Sequence, residues 1–386
     1  MTNDLRKHWT SAQHVGGREE PLPSHSGTAP AKPLQLALSP LGSAENPFVG
    51  SFTDALRGGG AEVRSHKWRL RTLIGVDVVM MHWPNEFMGR SSRRDVLPKL
   101  LTMRAARALG TRFVWVAHNL RPHDGASDFP AITRAFVRGL DGIIYLSEAS
   151  RQLAHDLYDI PPRTRELVTV HGRYHDLTAP TDYPIPAPGA PVRLLNFGLI
   201  RPYKNIDRLI DVVADARSAI DLTIIGKAVD PGFARSLAAR AATLPNVHLD
   251  LRPETIPQAE LERAIDAAHA VVLPYREILN SGSAIQALGR HRPVLVPARG
   301  SMPELQAQIG QEWVSLYDGE LTAATMDRLA TELRANRRSP RPDLERFDWG
   351  PIGAELGNFL SELRPAGHRE PRQVAAHRRQ KVESIG

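Results

Sequence analysis

Residues 276–297, REILNSGSAIQALGRHRPVLVP, lead from the end of one short apolar run to the start of another through a helix that opens on Ser281-Gly282-Ser283. Such an opening leaves backbone amides free, supplies serine hydroxyls to cap them, and places a glycine where another group can approach the main chain. The runs on either side, AVVLPY (270–275) and RPVLVPA (292–298), are strand length and rich in β-branched residues. Their apolarity is continuous rather than alternating, which implies strands buried on both faces. Strand, helix, strand is the repeating unit of a parallel sheet.

The same alternation runs through the chain. Downstream of a Pro-rich stretch, TAPTDYPIPAPGAPV (178–192), come RLLNFG (193–198), DLTIIGKA (221–228) and VHLDLR (247–252). Upstream lie LQLALSP (34–40), VDVVMMHW (76–83), RFVWVAHN (112–119), GIIYLS (142–147) and LVTVHG (167–172). Between them are amphipathic stretches such as DVLPKLLTMRAARALG (95–110), whose final glycine suits a helix C-terminus. The expected fold is therefore α/β, two Rossmann-like doubly wound domains facing a central cleft. Its expected parts are a flexible N-terminal segment (1–33), a first domain (34–180), a linker (181–192), a second domain (193–350), a C-terminal helix (351–363) and a basic disordered tail (364–386). In open sheets of this kind ligands bind beyond the carboxyl ends of the strands, so the residues that follow each strand hold most of the functional information.

Composition narrows the classes. The 386 residues are 42% hydrophobic and 24% charged, as in a globular protein of two domains. They include no cysteine, which rules out disulfides and thiolate metal sites. No apolar run approaches the roughly 20 residues of a membrane-spanning helix, and the polar start has no signal core, so the expected location is the cytoplasm. The formal charge of +7 points to anionic partners. One source of that charge is the tail after Arg364, either a solubilising segment or a contact with membrane or RNA. Another is RSHKWRLR (64–71) with SSRRDVLPK (91–99), where Trp68 among cations fits either an acidic-lipid contact at the inner membrane face or an ordinary solvated surface.

At the strand ends, Arg201 and Lys204 follow RLLNFG in the first turns of a helix, where cations oppose the dipole unless an anion lies between them. They are either a diphosphate site, together with the Ser281–Ser283 amides, or two surface cations. In the first half, His118 and Asn119 end a strand, with His123 and Asp124 shortly after; His82 and Glu86 hold the equivalent place one strand earlier. An imidazole there either accepts a proton near neutral pH or serves as a buried structural group. His171, Gly172 and Tyr174 precede the linker and so are expected at the cleft, with Gly172 present for backbone freedom. No HExxH and no clear Asp-x-Asp stands at a strand end, so no metal is expected and protein cations take its place.

Taken together, LPYREILNSGSAIQALGRHRPVLVP, AHNLRPHD (117–124), VHGRYHD (170–176) and FGLIRPYKNID (197–207) resemble GT-B glycosyltransferases of the bacterial exopolysaccharide type, among them relatives of the xanthan β-mannosyltransferase. The resemblance covers about residues 34–363. It implies a nucleotide-sugar donor, with GDP-mannose as the candidate, and a saccharide or polyprenyl-linked acceptor. It makes Arg201 and Lys204 the diphosphate ligands, with Gly198, Asn280, Ser281, Gly282 and Ser283 around them, and Glu277 the acceptor of hydrogen bonds from the donor sugar. His118, with His82, His123, His171 and Tyr174, belongs to the acceptor side. Two departures from the commonest retaining pattern stand out. Gln286 replaces the second glutamate, and Leu199 occupies the place of the arginine after the glycine, so the ribose contact and the stereochemical outcome stay open. A nucleotide-sugar epimerase and a non-catalytic sugar-nucleotide-binding protein remain as rivals. Dehydrogenases lack support because neither half has GxGxxG after its first strand, and nucleic-acid binding has only net charge behind it.

Overall fold

The computed structural model describes residues 32–41, 47–89, 91–120, 129–335 and 337–364. Most of the expected N-terminal segment, the basic tail after Arg364, and His123 with Asp124 therefore lie outside the described residues. From Pro33 onward the chain belongs to one compact unit built on two parallel six-stranded sheets.

The first sheet contains β1 (Gln35–Ser39), β2 (Glu62–Ser65), β3 (Val78–Met81), β4 (Arg112–Ala117), β5 (Gly142–Tyr145) and β6 (Arg165–Val168), in the order β2-β1-β3-β4-β5-β6. The second contains β7 (Val192–Ile200), β8 (Ile220–Ala228), β9 (Val247–Arg252), β10 (Ala270–Val272), β11 (Val294–Pro297) and β12 (Val314–Tyr317), in the order β12-β11-β10-β7-β8-β9. Every residue of β3, β5, β10 and β11 is buried, as their unbroken apolar runs require. Two strands were not legible as apolar runs. β2 (EVRS) runs into the start of the basic stretch and β12 (VSLY) is interrupted by a serine; both are sheet edges, where one side of the strand faces solvent and polar residues are tolerated.

The basic stretch also holds a correction. Trp68 is turned inward: its Nε1 donates to Glu86 Oε1 at 3.0 Å, and its ring stands 5.3 Å from that of Phe87. The indole is part of the first lobe's packing and not a surface contact. After the second sheet the chain crosses back, and the helix Trp349–Leu363 packs on the first lobe, with Glu355 accepting from Thr169 Oγ1 at 2.6 Å. The start of the Pro-rich stretch is clamped to the second lobe instead of hanging free. There the buried Arg290 donates to the Thr178 carbonyl and pairs with Asp266, while Arg292 donates to the Thr181 carbonyl.

The pairing of β7 and β8 sets the geometry next to the cleft. Gly198 lies opposite Gly226, and a Cβ on Gly226 would stand 1.8 Å from the Gly198 carbonyl oxygen. Gly226→Ala is expected to lower the free energy of unfolding by about 3 kcal/mol through overpacking against rigid backbone. The measurement is the urea midpoint at unchanged slope; an unaltered midpoint would mean that the strands can separate here at little cost.

Candidate functional site

The strand order of the second sheet reverses between β7 and β10, which are hydrogen-bonded neighbours whose chains leave in opposite directions. A crevice opens at such a point beyond the strand ends. Two segments far apart in sequence meet there, Gly198–Lys204 at the end of β7 and Leu273–Ser283 after β10. Gly198 has φ +109°, a conformation that favours glycine, and a Cβ on it would lie 3.1 Å from Lys204 Nζ and 3.7 Å from Ser283 Oγ. The expected convergence of the lysine with the serine-glycine turn is thus present. Ser281 caps the helix Gly282–Gly289, its Oγ accepting from Ala284 N at 3.2 Å.

Lys204 is only 6% exposed, and its ammonium stands 5.0 Å from the centre of the Tyr275 ring, against whose hydroxyl the Ser283 side chain rests. Burial pulls its pKa down to about 8; the Arg201 charge adds to that, and Tyr203 opposes it. Among the described residues no acidic side chain neutralises it. Arg201 is partly buried, and its Nε has no hydrogen-bond partner among the described residues. Two neighbouring cations, one desolvated and one with an unused buried donor, form a site complementary to an anion. The loop is fixed from the other strand: Arg276 N donates to the Tyr203 carbonyl at 2.9 Å and Arg276 Nε to Asn205 Oδ1 at 2.8 Å. Asn205 itself is left-handed at φ 56°. Tyr275 and Arg276 were not singled out in the sequence. Their signal was their place after a buried strand, opposite the lysine.

The other expected residues of this lobe divide. Glu277 is exposed and has no partner among the described residues, while Gln286 is partly buried in the helix. Asn280, expected to bind substrate, uses its amide between the lobes. Its Nδ2 donates to Ser150 Oγ at 3.1 Å and to the His118 carbonyl at 3.3 Å, so the amide is a strut between the lobes.

On the first lobe, His118 follows β4 and His82 follows β3, on adjacent strands. His82 Nδ1 lies 2.8 Å from His118 Nε2. Trp83 stacks on the His118 ring at 5.0 Å, and Phe48 meets it edge-on at 4.7 Å. His82, expected on the acceptor side, is 0% exposed, and its side chain meets His118. Burial holds all three cleft histidines neutral, lowering His82 to about 3 and His171 to about 4, and placing His118 well below the ordinary range, with His82 and His171 adding to the effect on His118. Asn119 is partly buried beside His118.

His171 and Tyr174 reach the second lobe. A Cβ on Gly282 would stand 2.3 Å from the Tyr174 hydroxyl and 3.4 Å from His171 Nε2. Gly282 is therefore required for close approach of the lobes. Gly172 differs from its expected role: a Cβ there would collide with the Trp349 indole at 2.5 Å, so the position needs space and not a special φ. A further strut joins the lobes where Glu304 accepts from Glu148 N at 3.0 Å, at the start of the helix Glu148–Leu157.

No protein-family model matches the chain. It is 33% identical over 313 residues to the GDP-mannose:glycolipid 4-β-D-mannosyltransferase of Xanthomonas campestris pv. campestris, covering 80% of this chain and 86% of that protein. Among solved structures it is similar to the sucrose-phosphate synthase of Thermosynechococcus elongatus (TM-score 0.59, 15% identity, 86% of this chain and 99% of that one). It is also similar to Anabaena HepE in complex with UDP-glucose (TM-score 0.57, 14% identity, 85% and 99%) and to AviGT4, a glycosyltransferase involved in avilamycin A biosynthesis (TM-score 0.53, 18% identity, 86% and 98%). At these identities the structures establish the shared two-lobed fold.

The neutral histidines make stability pH-dependent in a defined direction. The unfolded chain takes up protons below about 6.5 whereas buried His82 does not until about 3, so stability present above 6.5 falls as the pH drops through that window. Replacing His82 by Asn is expected to reduce the slope of unfolding free energy against pH, between about 6 and 4.5, by about 1.4 kcal/mol per pH unit. Urea titrations at several pH values check it; an unchanged slope would mean that His82 is protonated in the folded protein.

Proposed function

The chain belongs to the glycosyltransferase family of the Xanthomonas campestris GDP-mannose:glycolipid 4-β-D-mannosyltransferase, and from that premise we propose that it transfers mannose from GDP-mannose to a saccharide carried on a lipid. The observation that carries the reading is the convergence of Lys204, Gly198 and Ser283 on one buried, cationic point at the strand reversal. A diphosphate there would receive the Lys204 ammonium, the free Arg201 Nε–H and the amides at the start of the helix Gly282–Gly289.

In the reaction the acceptor oxygen bonds to the anomeric carbon, the bond from that carbon to the diphosphate oxygen breaks, and GDP leaves with the electron pair. Charge accumulates on the departing oxygen, where Lys204 and Arg201 stabilise it without reorganisation. We infer that these cations serve in place of a divalent metal. GDP-mannose carries its sugar as the α-anomer, so the β-linkage named for the relative arises by a single inverting displacement with a base on the acceptor side. His118 fits that role. With Nε2–H donated to His82 Nδ1, its Nδ1 lone pair is left for the acceptor proton, and its neutral state keeps it available. His171 and Tyr174, lying over Gly282, would frame the sugar between the lobes. A lipid-borne acceptor places the enzyme against the cytoplasmic face of the membrane; no helix among the described residues is long and apolar enough to cross one. The epimerase and binding-protein rivals gain nothing from these observations.

Lys204→Met is expected to reduce transfer about a hundredfold or more while leaving the unliganded thermal midpoint unchanged or higher, because it removes an unneutralised buried charge. The stabilisation by GDP should vanish with it. Retained turnover would remove the phosphate assignment. In the unaltered protein, affinity for GDP should be flat below pH 8 and weaken above it by up to about tenfold per unit, since Lys204 must regain a proton to bind. Calorimetric titration across pH 7–10 tests the sign.

A further inference from the structure

The first lobe carries a surface that the donor site does not use. Of the ten large apolar side chains exposed among the described residues, five fall between positions 70 and 109: Leu70, Ile74, Leu97, Leu101 and Leu109. Leu97 and Leu101 are 49% and 61% exposed and lie one turn apart on the helix Arg93–Ala108. Arg94 precedes Leu97 by three residues and Arg104 follows Leu101 by three, which puts all four side chains on one outward face. The short helix Leu70–Leu73, which carries Leu70 and precedes Ile74, packs beside it.

The helix Arg93–Ala108 also packs against the helix Pro130–Gly139, and between these two runs a groove of about 330 Å³. Arg104, Arg107, Arg134 and Arg138 line it above Leu100 and Met103. Two of the four are engaged, Arg107 with Asp141 at 2.9 Å and Arg138 with Asp159 at 2.7 Å. Among the described residues Arg104 and Arg134 have no such pair. Unpaired guanidinium groups in a groove suit phosphate oxygens, and leucines beside them suit what a phosphate headgroup is attached to. A polyanion such as RNA would explain the arginines and leave the leucines unexplained. Direction supports the same occupant. A helix after a parallel strand starts at the strand's carboxyl end, so Arg94 and Leu97 are at the rim of the cleft that holds His118.

We propose that the outward face of the helices Arg93–Ala108 and Pro130–Gly139 docks on an anionic phospholipid bilayer. Headgroup phosphates enter the groove at Arg104 and Arg134, and Leu97 and Leu101 reach the acyl boundary. This rests on the reading of a lipid-borne acceptor and specifies where the bilayer meets the protein. A membrane on this face brings an acceptor headgroup to the cleft mouth without its leaving the lipid.

The test is flotation of the full-length protein with phosphatidylcholine vesicles, with and without phosphatidylglycerol, for the wild type and two double variants: Leu97→Asp with Leu101→Asp, and Arg104→Glu with Arg134→Glu. The wild type is expected to float with anionic vesicles only, less so as salt is added, and each double variant to bind at least about tenfold more weakly. Unchanged GDP-induced thermal shifts would show that both variants fold and that the donor site is intact. If the wild type floats and the variants float equally well, this face is not the docking surface. A wild type that floats with neither vesicle overturns the membrane reading together with this proposal, while the GDP shift still reports on transferase function. Release from vesicles by millimolar inorganic phosphate, or capture by RNA in preference to vesicles, would likewise overturn it.

Discussion

A lysine buried without a counterion among the described residues governs the second lobe. Moving its pKa from the ordinary 10.5 to about 8 corresponds to about 3 kcal/mol of unfavourable environment for the charged form. Arg201 increases that cost, and the Tyr275 ring offsets part of it. A fold selected for stability alone would place a carboxylate here or an apolar side chain. What stands opposite the ammonium is instead a left-handed glycine and a serine at the start of a helix, groups that leave room and donate hydrogen bonds. Such an arrangement is complementary to an anion, and the two glycines Gly198 and Gly226 let the strands close tightly enough to form it.

Much of this was legible in the sequence because buried parallel strands advertise themselves. Runs such as VDVVMMHW and DLTIIGKA leave no other assignment, and once two such sheets are recognised, the residues after each strand become the candidates. Arg201, Lys204 and Ser281–Ser283 became candidates that way. Strands at the sheet edges were not, since EVRS and VSLY need only one buried side and their composition resembles a loop.

Residue roles were harder, for a physical reason: a side chain's type does not say which lobe it faces. Asn280 sits among donor-site residues yet spends its amide on Ser150 and the His118 carbonyl. His82 occupies a strand end as His118 does, but two phenylalanine rings and the His118 imidazole enclose it, which makes it a neighbour of the candidate base and not a ligand. Trp68 is surrounded by cations in the chain and by Phe87 and Phe113 in space. In each case the deciding contact is more than fifteen residues away in sequence.

The loop after β10 draws these parts together. Within nine residues it supplies the ring beneath Lys204 (Tyr275), the clamp on the Lys204 loop (Arg276), the strut to the first lobe (Asn280) and the capped helix start beside the ammonium (Ser281–Ser283). A ligand that orders this loop from the donor side therefore also fixes the His118 carbonyl and, through Gly282, the position of Tyr174 and His171. The two crossings between the lobes reinforce that link. Arg173 N donates to the Phe347 carbonyl, Trp349 Nε1 donates to the Arg173 carbonyl, and the Trp349 ring lies over Gly172. The Lys204 ammonium and the His118 imidazole thus belong to segments connected through backbone and hydrogen bonds. On the proposed reading, an anion held at Lys204 would therefore be coupled to the placement of His118, and so to the approach of the acceptor hydroxyl.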